Sequence, residues 1–392
     1  MAEFKLRHGV MIPPYHDLDE NPTLTFARDL ELIELLEQLD YQEVWVGEHH
    51  TAGFENISSP ELIIAAAAQR TKSIRLGTGV VTLPYHHPLN VAERIIQLDH
   101  MTRGRIMFGA GPGLLPSDAY MYGVEVSQTR TRMEQSLRAI VRLFRGEVVT
   151  EQTDWYTLRE ARIHNMPYQH PHPEVAVASV MTPTGGRLAG ELGLSMLCMA
   201  TNDPNGFNAL DGNWKLANET AAQHGHTMDR SRLRLMTPIY IAETREKARE
   251  DVRWRLQSFV DYMNTKSSVN APAMAIPKGE DPLDWIIRTG WAVVGTPEDA
   301  IARIEQLQAK QGAFGCLLML GLNWANWENT KRSYELYARY VMPHFSKANT
   351  NRIGSLDWCT ENREEFSQNR AAAVKNAFDK HEAEQTKKLG AS

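Results

Sequence analysis

Short apolar runs of strand length alternate with amphipathic stretches of helix length almost from one end of the chain to the other, and this rhythm constrains the fold more than any other feature. Parallel strands need a crossover between them, and a helix is the crossover that packs back onto the sheet. Strand candidates fall at Leu6–Ile12, Glu43–Gly47, Ile74–Val81, Ile106–Gly109, Val175–Ala178, Ser195–Ala200, Leu233–Ala242 and Cys316–Leu320, each followed by a helix candidate. Eight such units close a barrel, so the expected fold class is α/β, a (β/α)8 TIM barrel with insertions and a helical C-terminal extension.

Local chemistry marks where helices begin. Asn21-Pro22-Thr23 starts a helix over Leu24–Leu39, and Pro60, Pro88 and Pro183 open others, while Arg132–Phe144 carries a fourth. Two stretches break the rhythm, Gly146–His172 and Ser267–Thr289, and both are expected as lids over the barrel mouth. In or near them stand Trp155, Tyr156, Met166, Met274, Trp285 and Trp291, which suit a dry pocket and equally a packed core. Beyond Pro343 the chain turns polar, so the expected division is a barrel over 1–345 and a helical extension over 346–392.

Composition narrows the partners. With 42% apolar and 23% charged residues in 392, a sizeable core is available. Lys and Arg number 42 against 48 Asp and Glu, a net charge of −6, so no basic field holds nucleic acid or an anionic membrane and a small molecule is the expected partner. No uncharged apolar run reaches membrane-spanning length and no signal segment stands at the start, which points to the cytoplasm, with Cys198, Cys316 and Cys359 as reduced core residues.

The segment EVWVGEHH carries Glu48, His49 and His50 past the second strand, the end at which barrels hold their catalytic groups. An imidazole moves protons near neutral pH and a neighbouring carboxylate orients or charges it; a satisfied polar rim fits the same residues. The pairs His49-His50 and His86-His87, with His164, His170 and His172, raise zinc. Adjacent residues on a strand face opposite ways, so each pair offers at most one ligand, and with no HExxH no metal is expected.

Two glycine-rich turns ask for backbone room. FGAGPG, Phe108–Gly113, fails as a dinucleotide fingerprint because Pro112 sits inside it, and it fits the close approach of a flat ligand better. After the fifth strand, Ser179, Thr182, Thr184 and Gly185-Gly186 surround a helix start, which makes either an anion site of free amides or a plain N-cap. On the anion reading, a carboxylate placed at Gly185 repels the ligand and spares the fold.

These residues resemble a family. WVGEHH, the long run GFENISSPELIIAAAAQRTKSIRLGTGVVTLPYHHPLNVAERIIQLDHMTRGRIMFGAGPG and VGTPEDAIARIEQL (Val294–Leu307) look like the bacterial luciferase-like flavin-dependent monooxygenases, from about Leu6 to Phe345. PYHHPLNVAERIIQLDHMTRGR, with WANWENTKRSYELYARYVMPHF, is similar to the subgroup around limonene 1,2-monooxygenase. The resemblance implies a barrel that binds reduced FMN (FMNH2) from a separate NAD(P)H:flavin reductase, forms a C4a-peroxyflavin with molecular oxygen, and oxygenates a small apolar organic substrate, possible examples being terpenes. It implies His49 at the peroxide or substrate and Glu48 near the flavin ring. It also implies a non-proline cis peptide at Gly79-Val80 beneath the flavin ring, with Arg130, Arg132, Met181, Thr182 and Gly185 around the phosphate, and the flat ligand expected against FGAGPG, at Gly111, is then the cofactor. Luciferase itself has Arg where Pro112 stands and hydroxyl-bearing residues where Met181 and Gly185 stand, so phosphate holding here leans on backbone amides. The family also includes deazaflavin-dependent oxidoreductases and non-catalytic homologues, and a homodimer is consistent with it.

Overall fold

Twelve strands form in the computed structural model, which describes residues 4–179, 182–198, 204–266 and 274–389. They are β1 (Arg7–Ile12), β2 (Glu43–Val46), β3 (Arg75–Thr78), β4 (Val81–Thr82), β5 (Ile106–Gly111), β6 (Val149–Gln152), β7 (Thr157–Ala161), β8 (Glu174–Ser179), β9 (Ser195–Cys198), β10 (Leu233–Ile241), β11 (Val293–Gly295) and β12 (Cys316–Leu320). The sheet runs β12-β1-β2-β3-β5-β8-β9-β10, and β10 pairs β12 again, so eight parallel strands close a barrel at the eight expected positions. The closure is in register, with Cys316 beside both Arg7 and Arg234.

Helices return the chain between strands, and their starts follow the proline signals. In the helix Pro22–Gln38 the Asn21 side chain accepts from the Thr23 amide at 2.9 Å, and Pro60, Pro88 and Pro183 each sit in a first turn. Their apolar faces cover the sheet through side chains such as Ile33, Leu36, Ile64, Ile95 and Leu137, all buried.

The barrel interior is dry in the middle and ionic at the floor. Met11, Trp45, Met107, Ala176, Leu197, Met236 and Leu318 fill its centre. At the strand starts, Glu43 accepts from Arg234 Nε at 2.6 Å and from Arg7 Nε at 2.9 Å, while Glu174 accepts from Arg234 Nη1 and Arg75 Nη2, each at 2.8 Å. Arg234 is wholly buried and lies 5.0 Å from the Trp45 ring centroid. Burial pushes the Glu43 carboxyl up, but the guanidinium groups of Arg234, Arg7 and Arg75 outweigh it and hold the group down at about 2.

The two insertions fall on opposite sides of the barrel. Gly146–His172 was expected as a lid, yet it follows the helix Thr129–Phe144 and precedes β8, and a helix-to-strand connection emerges at the strand starts. Accordingly Gln169 Nε2 donates to the carbonyl of Ile106, the first residue of β5. Trp155 and Tyr156, at the tip of the β6-β7 hairpin, donate to Gln135 on that helix, and Met166 is exposed. The segment after β10 does lie at the strand ends. There Met274, Trp285 and Trp291 join Tyr15, Phe54, Phe259, Tyr262 and Trp324 in one buried apolar cluster, and β11 lengthens the sheet beside Ile239–Ile241. Residues 267–273, part of this second candidate lid, lie outside the described residues.

Cys198 and Cys316 are buried and free as expected, with burial pushing the Cys198 thiol up to about 12, whereas Cys359 is exposed. Cys359 is no core residue because it lies in a second compact unit, Pro343–Ser392, made of the helices Thr350–Glu361 and Arg363–Leu389. Among the described residues no helix is long and apolar enough to cross a membrane.

Candidate active site

The chain leaves β2 at Val46 and turns at Gly47, so Glu48, His49 and His50 stand at the strand ends, where each finds a different partner. Glu48 Oε1 accepts from His50 Nε2 and from His86 Nε2, each at 2.9 Å, and Oε2 accepts from the Thr82 amide at 3.1 Å. Burial pushes the Glu48 carboxyl up, but the His50 and His86 bonds and the Thr82 amide overcome it and hold the group ionised, below its usual range. The Tyr122 hydroxyl meets His50 Nδ1 at 3.2 Å, and its ring stacks on Tyr85 at 4.7 Å.

His49 turns the other way. Its amide donates to the Ile57 carbonyl, and Nδ1 lies 2.9 Å from Asp118 Oδ2. Asp118 is held in turn by Thr51 Oγ1 at 2.5 Å and the His50 amide at 3.2 Å, so its carboxylate is fixed before it fixes the imidazole. Burial works against a charged His49, yet the bond to Asp118 and the fields of Glu55 and Glu48 leave its pKa raised. The ring keeps 17% of its surface exposed, so it reaches the mouth rather than the core. Glu55 lies in the same pocket of charge, accepting from the Tyr262 hydroxyl at 2.7 Å, with its pKa raised by burial.

Against known proteins, the luciferase-like monooxygenase model matches residues 6–313. The chain belongs to the luciferase-like monooxygenase family. It is 44% identical over 338 residues to limonene 1,2-monooxygenase of Rhodococcus erythropolis, covering 86% of each chain. It is 40% identical over 362 residues to 4-hydroxyprotoasukamycin monooxygenase of Streptomyces nodosus subsp. asukaensis, covering 91% of this chain and 97% of that one. Two solved structures show the shared fold. The oxygenating constituent of 3,6-diketocamphane monooxygenase from Pseudomonas putida, in complex with FMN, superposes with a TM-score of 0.72 at 24% identity over 87% of this chain and 99% of its own. The coenzyme F420-dependent tetrahydromethanopterin reductase of Methanopyrus kandleri gives 0.63 at 21% over 88% and 100%.

The family's other expected positions divide. The peptide Gly79-Val80 is cis, and Gly111 ends β5 directly against it: a Cβ on Gly111 would stand 2.5 Å from Val80 Cγ2. At the fifth barrel strand Thr182 is exposed and makes no side-chain cap bond to the helix Pro183–Leu192, while the buried Ser179 Oγ has no partner among the described residues. Met181 lies outside the described residues. Arg130 is exposed, and Arg132 donates to Gln128 and lies over the Trp155 ring, so the described contacts of Arg132 run to its own helix and the hairpin.

Gly185 behaves differently from the expectation that a carboxylate there spares the fold. A Cβ at this position would stand 2.4 Å from the Ala178 carbonyl oxygen and 2.9 Å from Ser179 Cβ, so glycine is what lets the helix sit down on β8. Gly185→Ala is therefore expected to lower unfolding free energy by about 2–3 kcal/mol, readable by urea denaturation, before any ligand is considered.

Asp118 and His86 are the partners that sequence reasoning did not assign. Asp118 sits in the first turn of the helix Pro116–Met121, and the only local signal was the Pro-Ser-Asp start itself.

Proposed function

We propose that this chain is the oxygenase half of a two-component system: it takes reduced FMN from an NAD(P)H:flavin reductase and uses molecular oxygen to oxygenate a small apolar organic substrate. The observation that carries the reading is the split pairing at the mouth, where Glu48 is saturated by three donors while His49 is oriented by Asp118 and keeps part of its ring exposed. The residues present fit the cofactor. The unpartnered Ser179 hydroxyl stands beside the uncapped start of the helix Pro183–Leu192, donors suited to a phosphate, and the absent side chain of Gly111 is what lets Val80 pack against β5.

Reduced FMN, when bound, supplies the electrons that activate oxygen. The chain's own share is to orient, to exclude water and to place a hydrogen bond. Asp118 fixes the His49 ring through Nδ1, which leaves Nε2 to bond the reacting oxygen or the substrate oxygen. The cluster around Tyr15, Phe259, Trp291 and Trp324 keeps that end of the barrel apolar, a surrounding that suits a terpene-like substrate and keeps solvent from the reacting atoms. The test is to mix the purified protein with photoreduced FMN and isotopically labelled oxygen over a panel of terpenes, ketones and heteroaromatics. Label in an organic product supports the reading; hydride transfer to or from coenzyme F420 without oxygen uptake, or no turnover with either cofactor, overturns it.

A further inference from the structure

The saturated carboxylate at the mouth has the composition and spacing of a metal site. Glu48 Oε1 lies 2.9 Å from both His50 Nε2 and His86 Nε2, and the three donor atoms all fall within 4.8 Å of one another. One histidine comes from each adjacent pair in the sequence, 36 positions apart by number (86 − 50), and the fold brings them to a single oxygen. Among the described residues no other group of three such side chains converges. We propose that Glu48, His50 and His86 bind a borderline divalent ion of the zinc class, with the fourth position left to water.

Geometry asks little of the protein. Neighbouring ligands of a tetrahedral ion with bonds of ~2.05 Å stand about 3.3 Å apart, so each Nε2 would withdraw from Glu48 Oε1 by about 0.4 Å while the two Nε2 atoms, now within 4.8 Å of each other, take up that same separation. Glu48 and His50 are held by buried surroundings, while the His86 side chain keeps 19% of its surface exposed, which supplies the way in. The supporting contacts are in place: the Thr82 amide donates to Glu48 Oε2 at 3.1 Å, and the Tyr122 hydroxyl meets His50 Nδ1 at 3.2 Å.

The protons balance with water as their carrier. In the ion-free triad both Nε2 atoms carry hydrogen toward the carboxylate. On binding, water takes the proton from each Nε2 and returns one to Nδ1, so each ring stays neutral and gives the Nε2 lone pair to the ion; at His50 the Tyr122 oxygen changes from donor to acceptor of the hydrogen bond with Nδ1. No electron moves, and one carboxylate against a doubly charged ion leaves the site at +1. Two imidazoles with one carboxylate favour zinc over magnesium or calcium, which take oxygen ligands.

The experiment needs no flavin and no substrate, so its outcome is independent of the oxygenase reading. Metal-free full-length protein is titrated with Co2+, and the visible ligand-field bands are followed, then displaced with Zn2+. The expected result is the intense absorption of a four-coordinate Co2+ ion, one per chain, lost on adding one equivalent of Zn2+. The variants His86→Asn and Glu48→Gln, each checked for native circular dichroism and melting, should bind about tenfold or more weakly, while His164→Ala, on the exposed hairpin side, should bind as the parent does. Should either of the first two fail to fold, the other together with His50→Gln decides. The weak spectrum of hydrated Co2+, or folded variants that bind as tightly as the parent, would overturn the site.

Discussion

Arg234→Met is expected to destabilise the barrel by roughly 3–5 kcal/mol, because it removes the buried cation that Glu43 and Glu174 share and leaves them only the partly exposed Arg7 and Arg75. Glu43 is fully buried and the Glu174 side chain keeps 12% of its surface exposed, and Arg234 bonds both, at 2.6 Å and 2.8 Å. The sign with pH follows from the same contacts. The folded-state pKa of Glu43, about 2, is below its ordinary value of 4.5, so the stability it contributes is fully present above 4.5 and is lost as pH falls from there through about 2. Urea midpoints measured across that window should fall in the parent and stay much flatter in the variant. Adding Glu43→Gln and Glu174→Gln to Arg234→Met should recover part of the loss, since the under-compensated buried charges, rather than a missing attraction, dominate it. A single variant within 1 kcal/mol of the parent would show that the floor network contributes nothing. The consequence reaches the site: β2 begins at Glu43 and its continuation carries Glu48–His50, so loosening the floor frees the strand that presents them.

The barrel itself was legible because its signal is repeated. Each strand–helix unit writes its own apolar period, and the eight expected strands all take part in the closed sheet. The side on which an insertion emerges was legible in principle as well. A segment between helix and strand comes out at the strand starts, and Gly146–His172 follows a helix, but the habit of barrels to carry insertions over the active face placed it at the mouth. Convergence in space is what a single sequence withholds. His49 meets Asp118 across 69 positions and Glu48 meets His86 across 38, distances over which no local period operates. Adjacent histidines on a strand give at most one ligand per pair, and nothing local shows two pairs meeting at one carboxylate. Gly185 shows the remaining gap: a glycine at a helix start reads as an anion cradle, and only coordinates reveal that the Ala178 carbonyl occupies the space beside it.

His49→Ala is expected to separate binding from chemistry. The imidazole is oriented through Nδ1 by Asp118 and is partly exposed, so its removal takes away one placed hydrogen bond and little packing. Affinity for reduced FMN should stay nearly intact, because the features that fit the cofactor, at Ser179 and the helix Pro183–Leu192, lie elsewhere. Product formation should fall by ~10²-fold or more, the usual range for a placed acid–base group. Reductant would still be consumed: oxygen uptake continues while hydrogen peroxide takes the place of oxygenated product, and a peroxidase-coupled assay run beside product analysis reads the ratio. Asp118→Asn should fall between parent and His49→Ala, since an amide oxygen still accepts from the imidazole but carries no charge to hold it. If His49→Ala keeps the parent's ratio of product to oxygen consumed, His49 is a rim residue and the hydrogen bond to the reacting oxygen must come from another group at the mouth. If the ratio collapses in His49→Ala and Asp118→Asn together with unchanged flavin affinity, the pair acts as one unit at the reacting oxygen.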